Sequence, residues 1–366
     1  MTELELKIKE AQDAYYNNGT PIMSDGEFDI LWDRLMKEQP DSELLKAVGS
    51  DHTVGFEKAD HTMVMGSQNK ANTAEEMDEW FSSIKGDIVG GYKMDGISIE
   101  LTYIDGKYTK AITRGDGHTG DDVTANVAKM GGVIKELPDK SFSGPIRGEV
   151  LLSRTNKEVY FDEYANCRNA ASGICKRLDG SGCEHLNVVV YDAQYLDKTK
   201  TFGTQYNLMK WLEGQGFEVA PWWLTNSKTG QYAKYKVDEV FAQFESLKYD
   251  IDGIVWKQND IDLDDMYANI RPKTQIALKP ARTYATTELI GIEWNNTNGT
   301  YTPVAILKPV NMLGAEISRA NLSNVRKMME LGIEIGHTVT ICRCGMIIPK
   351  VVKDETTGKF ASGYEF

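Results

Sequence analysis

The sequence predicts an α+β chain in three parts: a pair of helices at the N-terminus, a larger domain of mainly antiparallel sheet, and a small β-barrel towards the C-terminus. Three observations carry this. Residues 4–38 place apolar side chains at helical spacing on either side of a break. Residues 61–275 alternate short apolar, strand-like runs with helical stretches. Residues 286–352 read as several short strands with one helix, which is barrel material.

Each element follows from its residues. Leu4, Ile8, Ala11 and Tyr15 share one face of a first helix, and Asn17-Asn18-Gly19-Thr20-Pro21 breaks it. Ser24-Asp25-Gly26-Glu27 is a capping box, followed at helical spacing by Phe28, Leu31, Trp32, Leu35 and Met36. Asp25 and Asp29, four apart, project from one side of that first turn, where acidic residues also suit the helix dipole. Further on, Ile97–Tyr103 and Tyr108–Ile112 alternate around Asp105-Gly106, a hairpin signal. Val188–Tyr191 and Gly253–Trp256 read as buried strands, and Gln205–Gly214 as a helix ended by glycine. Thr302–Leu307 and Thr338–Ile341 are strands, and the helix Asn324–Leu331 closes at Gly332. The tail from Asp354 is polar and expected to fray. Domain boundaries are expected at 1–60, 61–280 and 281–366.

With 366 residues, 41% hydrophobic and 26% charged, the composition is that of an ordinary globular chain of two or three domains. No apolar run approaches the roughly 18 residues of a membrane span, and Met1–Lys7 lacks a signal-peptide pattern. The odd set Cys167, Cys175, Cys183, Cys342 and Cys344 favours reduced thiols and a cytoplasmic setting. Cys342-x-Cys344 lacks the four ligands of structural zinc. Net charge is −13, unfavourable for phosphate contact, yet residues 271–353 hold eleven Lys/Arg against five Asp/Glu. That local +6 leaves −19 for the remainder, so an acidic body carries a basic distal segment.

Four blocks carry chemistry: Gly91-Tyr92-Lys93-Met94-Asp95-Gly96, Thr113-Arg114-Gly115-Asp116-Gly117, Arg147-Gly148-Glu149-Val150 and Asp252-Gly253-Ile254-Val255-Trp256-Lys257. A lysine before Asp-Gly in an apolar strand is an attacking amine for carrying AMP on nitrogen, though Lys-x-Asp-Gly alone also fits a surface lysine beside a turn. To attack phosphorus the amine must be neutral, which desolvation beside Tyr92 and Ile97 and the neighbouring cations Lys257 and Lys279 would favour. Asp95 can orient the lysine or hold a ribose hydroxyl or metal, and Gly96 allows close backbone approach to a nucleotide. The glycines around Arg114 suggest a loop against a ligand, or else a hairpin-turn salt bridge. Glu149 can bind a ribose or a magnesium ion, or be a strand-end surface charge.

In this order the four blocks resemble those of the NAD-dependent DNA ligases, over about residues 4–352. The resemblance implies a helical domain gripping the nicotinamide mononucleotide half of NAD through Tyr15, Asp25 and Asp29. It implies a nucleotidyltransferase (adenylation) domain in which Lys93 is adenylated, with Ser67 and Arg114 near the nucleotide. Lys257 and Lys279 would neutralise the α-phosphate as it becomes five-coordinate. The barrel is then of the OB type. Arg168, in Asn166-Cys167-Arg168-Asn169-Ala170-Ala171, matches an arginine that binds the nick's 5′-phosphate, and the family's second arginine is replaced by Lys176 beside Arg177. Other departures are Tyr16 for His, Phe28 for Tyr, Gln68 after Ser67 for Leu, Gly91 for a glutamate that contacts adenine, and Phe244 for Arg. Gly91 and Phe244 predict weaker or altered nucleotide recognition, and Tyr16 and Phe28 the loss of two polar contacts to the nicotinamide half.

The expected function is NAD-dependent sealing of 5′-phosphate/3′-hydroxyl nicks in duplex DNA, with Mg²⁺ as divalent ion, in the cytoplasm of a bacterium or phage-infected cell. Family members continue past the barrel with zinc, helix-hairpin-helix and protein-binding modules that these residues lack, so a second subunit or clamp is expected to supply duplex grip. Two rivals remain. An ATP-dependent nucleotidyltransferase shares Lys-x-Asp-Gly but has no need of residues 4–38. An inactive or accessory nick-binding subunit would have no use for Lys93, Asp95, Glu149, Lys257 and Lys279 together.

Overall fold

The computed structural model describes residues 1–16, 22–23, 31, 34–35, 38–39, 42, 44 and 55–361, except 72, 165, 244–245, 280–281, 298–299, 313–314 and 345–348. Asp25, Phe28 and Asp29, and with them most of the second expected helix, lie outside the described residues, as does Phe244. The chain divides into two compact units: Met1–Tyr232 with Lys248–Leu278, and Ala233–Leu247 with Lys279–Phe366.

In the first unit the helix Glu3–Tyr16 forms where the apolar period places it, and Leu4 and Ile8 are buried with Leu35. Two larger sheets form its framework. One has strand order β2–β11–β10–β3–β9: β2 (Asn69–Ala71), β11 (Gln275–Leu278), β10 (Ile251–Gln258), β3 (Ile88–Met94) and β9 (Trp222–Thr225). All its pairs are antiparallel except β11 with β2. The other has order β5–β4–β7–β8 and is antiparallel throughout: β5 (Lys107–Thr113), β4 (Ile97–Ile104), β7 (Gly144–Leu152) and β8 (Leu186–Ala193). A short ribbon pairs β1 (Lys58–Asp60) with β6 (Thr119–Asp121).

The β4–β5 hairpin turns on Asp105 and Gly106, with φ of 49° and 72°. Two successive positive φ values are what a two-residue turn needs to match strand twist, and Asp-Gly tolerates them. Strand alternation divides the four-stranded sheet into two faces. Ile97, Ile99, Leu101, Ile146, Val150, Val188 and Val190 form the apolar face, with Ala170, Ala171 and Ile174 of the helix Cys167–Cys175 and Leu208 and Leu212 of the helix Gln205–Gly214 in the same core. The opposite face carries Ser98, Glu100, Arg147 and Glu149 at paired positions of β4 and β7.

Helices begin where a side chain can accept from the otherwise orphaned N–H three residues on. Thr73, Ser153, Asn166 and Thr204 do this for Glu76, Asn156, Asn169 and Asn207. The helix Ala74–Ser83 buries Met77, Trp80 and Phe81. Phe81 meets Trp256 of β10 edge-on at 5.8 Å, and Trp223 of β9 meets the same ring at 5.5 Å.

The second unit contains a closed barrel of order β12–β13–β14–β16–β15, the OB-type barrel that the sequence predicts. Its strands are β12 (Arg282–Thr297), β13 (Thr300–Met312), β14 (Ala315–Asn321), β15 (Thr338–Cys344) and β16 (Lys350–Asp354). Closure removes the exposed edges that an open sheet would leave. Leu289, Leu307, Val339, Ile341 and Val351 fill it, and the helix Val325–Leu331 ends at Gly332 with φ 66°. Among the described residues no helix is long and apolar enough to cross a membrane.

Candidate active site

Lys93 lies in β3 opposite Gly253 of β10. Its amine is 3.0 Å from Asp252 Oδ1, and both side chains are about one-fifth exposed, at 23% and 22%. Asp252 falls at a register irregularity between Ile251 and Gly253, so the β10 backbone departs from regular pairing where it presents this carboxylate. The lysine's partner is therefore Asp252. Asp95 instead accepts from Arg168 Nη1 at 2.8 Å. Arg168 sits in the first turn of the helix Cys167–Cys175, which Asn166 caps.

Glu149 stands at the centre of the polar face, 9% exposed. Burial pushes its carboxyl above the ordinary carboxylate range, and the positive charges of Arg168, Lys93, Arg147 and Arg114 oppose that rise. Lys93, Arg114 and Arg168, far apart in sequence, thus act on one carboxylate together with its near neighbour Arg147. Tyr191 donates to Glu149 Oε2 at 3.1 Å and lies 2.9 Å from the Ser98 hydroxyl. It too comes from a register irregularity, since β7–β8 pairing passes from Arg147↔Asp192 to Gly148↔Val190 and leaves Tyr191 as the extra residue. Arg147 lies over the Tyr191 ring at 5.8 Å and donates to the Gly66 carbonyl at 2.6 Å, which fixes the chain immediately before Ser67.

Lys257, on β10, is 3.1 Å from Asp192 Oδ2 of β8 and donates to the Tyr191 carbonyl at 3.4 Å. This pair joins the two sheets across the site. Arg114 holds its loop to β4 through its N–H and the Ser98 carbonyl at 3.1 Å. Lys176 caps the C-terminus of the Arg168 helix, and burial pushes its amine down to about 8. Arg177 donates to the Ser181 carbonyl and the Tyr164 hydroxyl and lies over the Phe161 ring, contacts that shape the following turn. Tyr15 belongs to the first helix, and Asp25 and Asp29 lie outside the described residues. Lys279 belongs to the second unit.

The motif glycines have structural causes that the sequence assigned to a ligand. A Cβ on Gly96 would meet the Val150 carbonyl at 2.3 Å, so the close approach it permits is to β7. Gly115 has φ 54°, and its Cβ would strike the Thr119 carbonyl at 1.8 Å, so its loop closes on itself.

The site acids do not make a ready magnesium cage. Asp95, Glu149 and Asp252 are engaged by Arg168, Tyr191 and Lys93 respectively. Among the described residues no group of three or more His, Cys, Asp or Glu is arranged to hold a metal.

The profile of the NAD-dependent DNA ligase adenylation domain matches residues 53–281, and that of the NAD-dependent DNA ligase OB-fold domain matches 286–359. The chain belongs to the NAD-dependent DNA ligase family. A DNA ligase of Treponema denticola is 40% identical over 364 residues, covering 95% of this chain and 56% of that protein. One from Treponema pallidum is 38% identical, covering 95% and 44%, and one from Wolbachia pipientis wMel is 34% identical, covering 100% and 58%. The chain thus spans about half the length of the curated relatives it matches. Asp252, Tyr191, Arg147 and Asp192 are the residues of this polar cluster that sequence reasoning left unassigned. Only Asp252 and Arg147 had a signal, as the first residues of two recognised blocks.

Proposed function

We propose that this chain is a NAD-dependent DNA ligase that works through a lysine–AMP intermediate. The observation that supports the reading is the convergence of Lys93, Arg114, Arg168 and Arg147 on the buried Glu149, in a chain of this family. In the first step the neutral Lys93 amine attacks the α-phosphorus of NAD. The N–P bond forms, the P–O bond to nicotinamide mononucleotide breaks, and the amine loses a proton. Asp252, already bonded to Lys93 Nζ, orients the amine and is the nearby base for that proton. Arg114 and Lys257 supply positive charge against the phosphate, Glu149 is placed for a ribose hydroxyl, and Ser67 sits at the nucleotide edge. AMP then passes to the 5′-phosphate of a nick, and the adjacent 3′-hydroxyl displaces it.

In this reading residues 1–60, through Tyr15, Asp25 and Asp29, grip the nicotinamide half. Residues 61–280 form the adenylation domain, which includes Lys279, and 281–366 the barrel domain. Arg168, Lys176 and Arg177 face the nick's 5′-phosphate.

Electrophoresis of the chain after incubation with adenylate-labelled NAD tests the first step. Wild type should retain label and Lys93→Ala should retain none, with matching circular dichroism. No label on wild type, or undiminished label on Lys93→Ala, would sink the reading. Competition by ATP as effective as that by NAD would point to an ATP user.

A further inference from the structure

His61 takes no part in those steps, yet it bridges the polar sheet face and the Arg114 loop. Its side chain is 1% exposed and that of Glu100 is 0% exposed. Nδ1 lies 2.9 Å from Glu100 Oε2, and Nε2 lies 3.1 Å from the Arg114 carbonyl oxygen. A carbonyl can only accept, so Nε2 is the donor in that bond.

Glu100 is itself anchored. It stands in β4 between Ile112 of β5 and Arg147 of β7. It accepts from the Thr62 hydroxyl at 2.6 Å and the Thr102 hydroxyl at 3.1 Å. Burial pushes its carboxyl up, but the hydrogen bonds from His61 and Thr62 outweigh burial and hold it below the usual carboxylate range. The segment carrying His61 also grips the far side of the same loop. The His61 N–H donates to the His118 carbonyl at 2.8 Å, and the Met65 N–H to the Gly117 carbonyl at 3.0 Å. Gly115 and Gly117, with φ of 54° and 94°, let the loop turn; the Arg114 N–H bonds to the Ser98 carbonyl at 3.1 Å, and the Arg114 carbonyl accepts from the Gly117 N–H at 2.9 Å as well as from the His61 ring, which ties it to β4 through Glu100.

We propose that His61 is a positioning residue that, anchored on Glu100, fixes the Arg114 backbone and hence where the Arg114 guanidinium meets the nucleotide. The proposal rests on the reading of Arg114 as a nucleotide contact. A long side chain held at its root loses less freedom when it binds, so the strut acts on NAD affinity more than on the chemical step.

The alternative is that His61 only satisfies a buried acid, and two amides separate these roles. Gln presents an N–H near the place of Nε2 and reaches the Arg114 carbonyl, whereas Asn presents one near Nδ1 and reaches Glu100 only. The experiment measures self-labelling of the full chain against NAD concentration, with a thermal melt of each variant. His61→Asn should raise the half-saturating NAD concentration about fivefold, as loss of one hydrogen bond implies, with the maximal rate little changed. The conservative His61→Gln should restore it to within about twofold of wild type. In an Arg114→Ala background the two variants should be indistinguishable. If His61→Asn does not fold, Glu100→Gln, which loosens the anchor while keeping its shape, should raise half-saturation in the same direction. His61→Asn equal to wild type, His61→Gln as impaired as His61→Asn, a difference that persists without Arg114, or no rise in Glu100→Gln would overturn the strut. Failure of the unmutated chain to label is a different result, and overturns the ligase reading beneath it.

Discussion

A methyl group at Gly90 would lie 2.5 Å from the Trp223 ring and 2.8 Å from the Trp256 ring, whereas one at Gly91 would meet nothing nearer than the Pro221 carbonyl at 3.5 Å. Adjacent glycines on one strand thus answer to different constraints. Gly90→Ala should destabilise the fold by about 1–3 kcal/mol through overpacking, while Gly91→Ala should melt near wild type. Gly91→Glu, the residue common in the family, should also fold. On the ligase reading it should lower the NAD concentration that half-saturates self-labelling; an unchanged or raised value would remove adenine contact as the meaning of this position. Lys176 makes a second prediction at this scale. Burial holds its amine at about 8, down from 10.5, so it is charged below that pH. Because the fold disfavours the charged form, stability should rise as pH climbs from about 8 towards 10.5. On the ligase reading, binding of a nick's 5′-phosphate should weaken as pH rises through about 8, where the folded chain's Lys176 loses its charge. Lys176→Arg should flatten the binding curve, and a wild-type curve already flat there would detach Lys176 from the phosphate.

The element that presents Arg168 is a helix of nine residues started by one side chain, Asn166. Asn166→Ala should cost about 1 kcal/mol in a denaturant titration and loosen the first turn. Sealing of DNA already carrying a 5′-adenylate should then fall more than self-labelling with NAD, and equal loss in both would make the cap purely structural. The Asp105-Gly106 hairpin and the strands around it were legible in sequence, because each depends on a few neighbouring residues, whereas the Asn166 cap was not drawn from the sequence. The blocks holding Lys93, Arg114, Glu149 and Lys257 were legible for the same reason. Asp252 and Tyr191 were not legible as partners of Lys93 and Glu149, because both sit at register irregularities between two strands and no single strand encodes its register. The backbone constraints on Gly96 and Gly115 were not legible, because what approaches them is backbone of this same chain brought in by the fold.

For the molecule as a whole, charge is unevenly placed: +6 within residues 271–353 against a total of −13. DNA contact resting on a basic minority should weaken steeply with salt, the logarithmic slope being roughly 0.9 per phosphate neutralised. Moderate salt should therefore stop nick sealing while self-labelling, which involves no DNA, continues. Both activities falling together would locate the salt effect elsewhere. The contact between Gly96 and β7 bears on how the site can move. With 2.3 Å between the absent methyl and the Val150 carbonyl, and 2.9 Å to Glu149 Cγ, the turn after Lys93 is seated on the strand that carries Glu149 with nothing between them. It acts as a gauge block of zero thickness: the turn after the Lys93 strand and the Glu149 strand are set at one separation. On the ligase reading, a dinucleotide along this edge must adapt its own torsions to the gap, and adaptation by the protein is left to the side chains that reach into it.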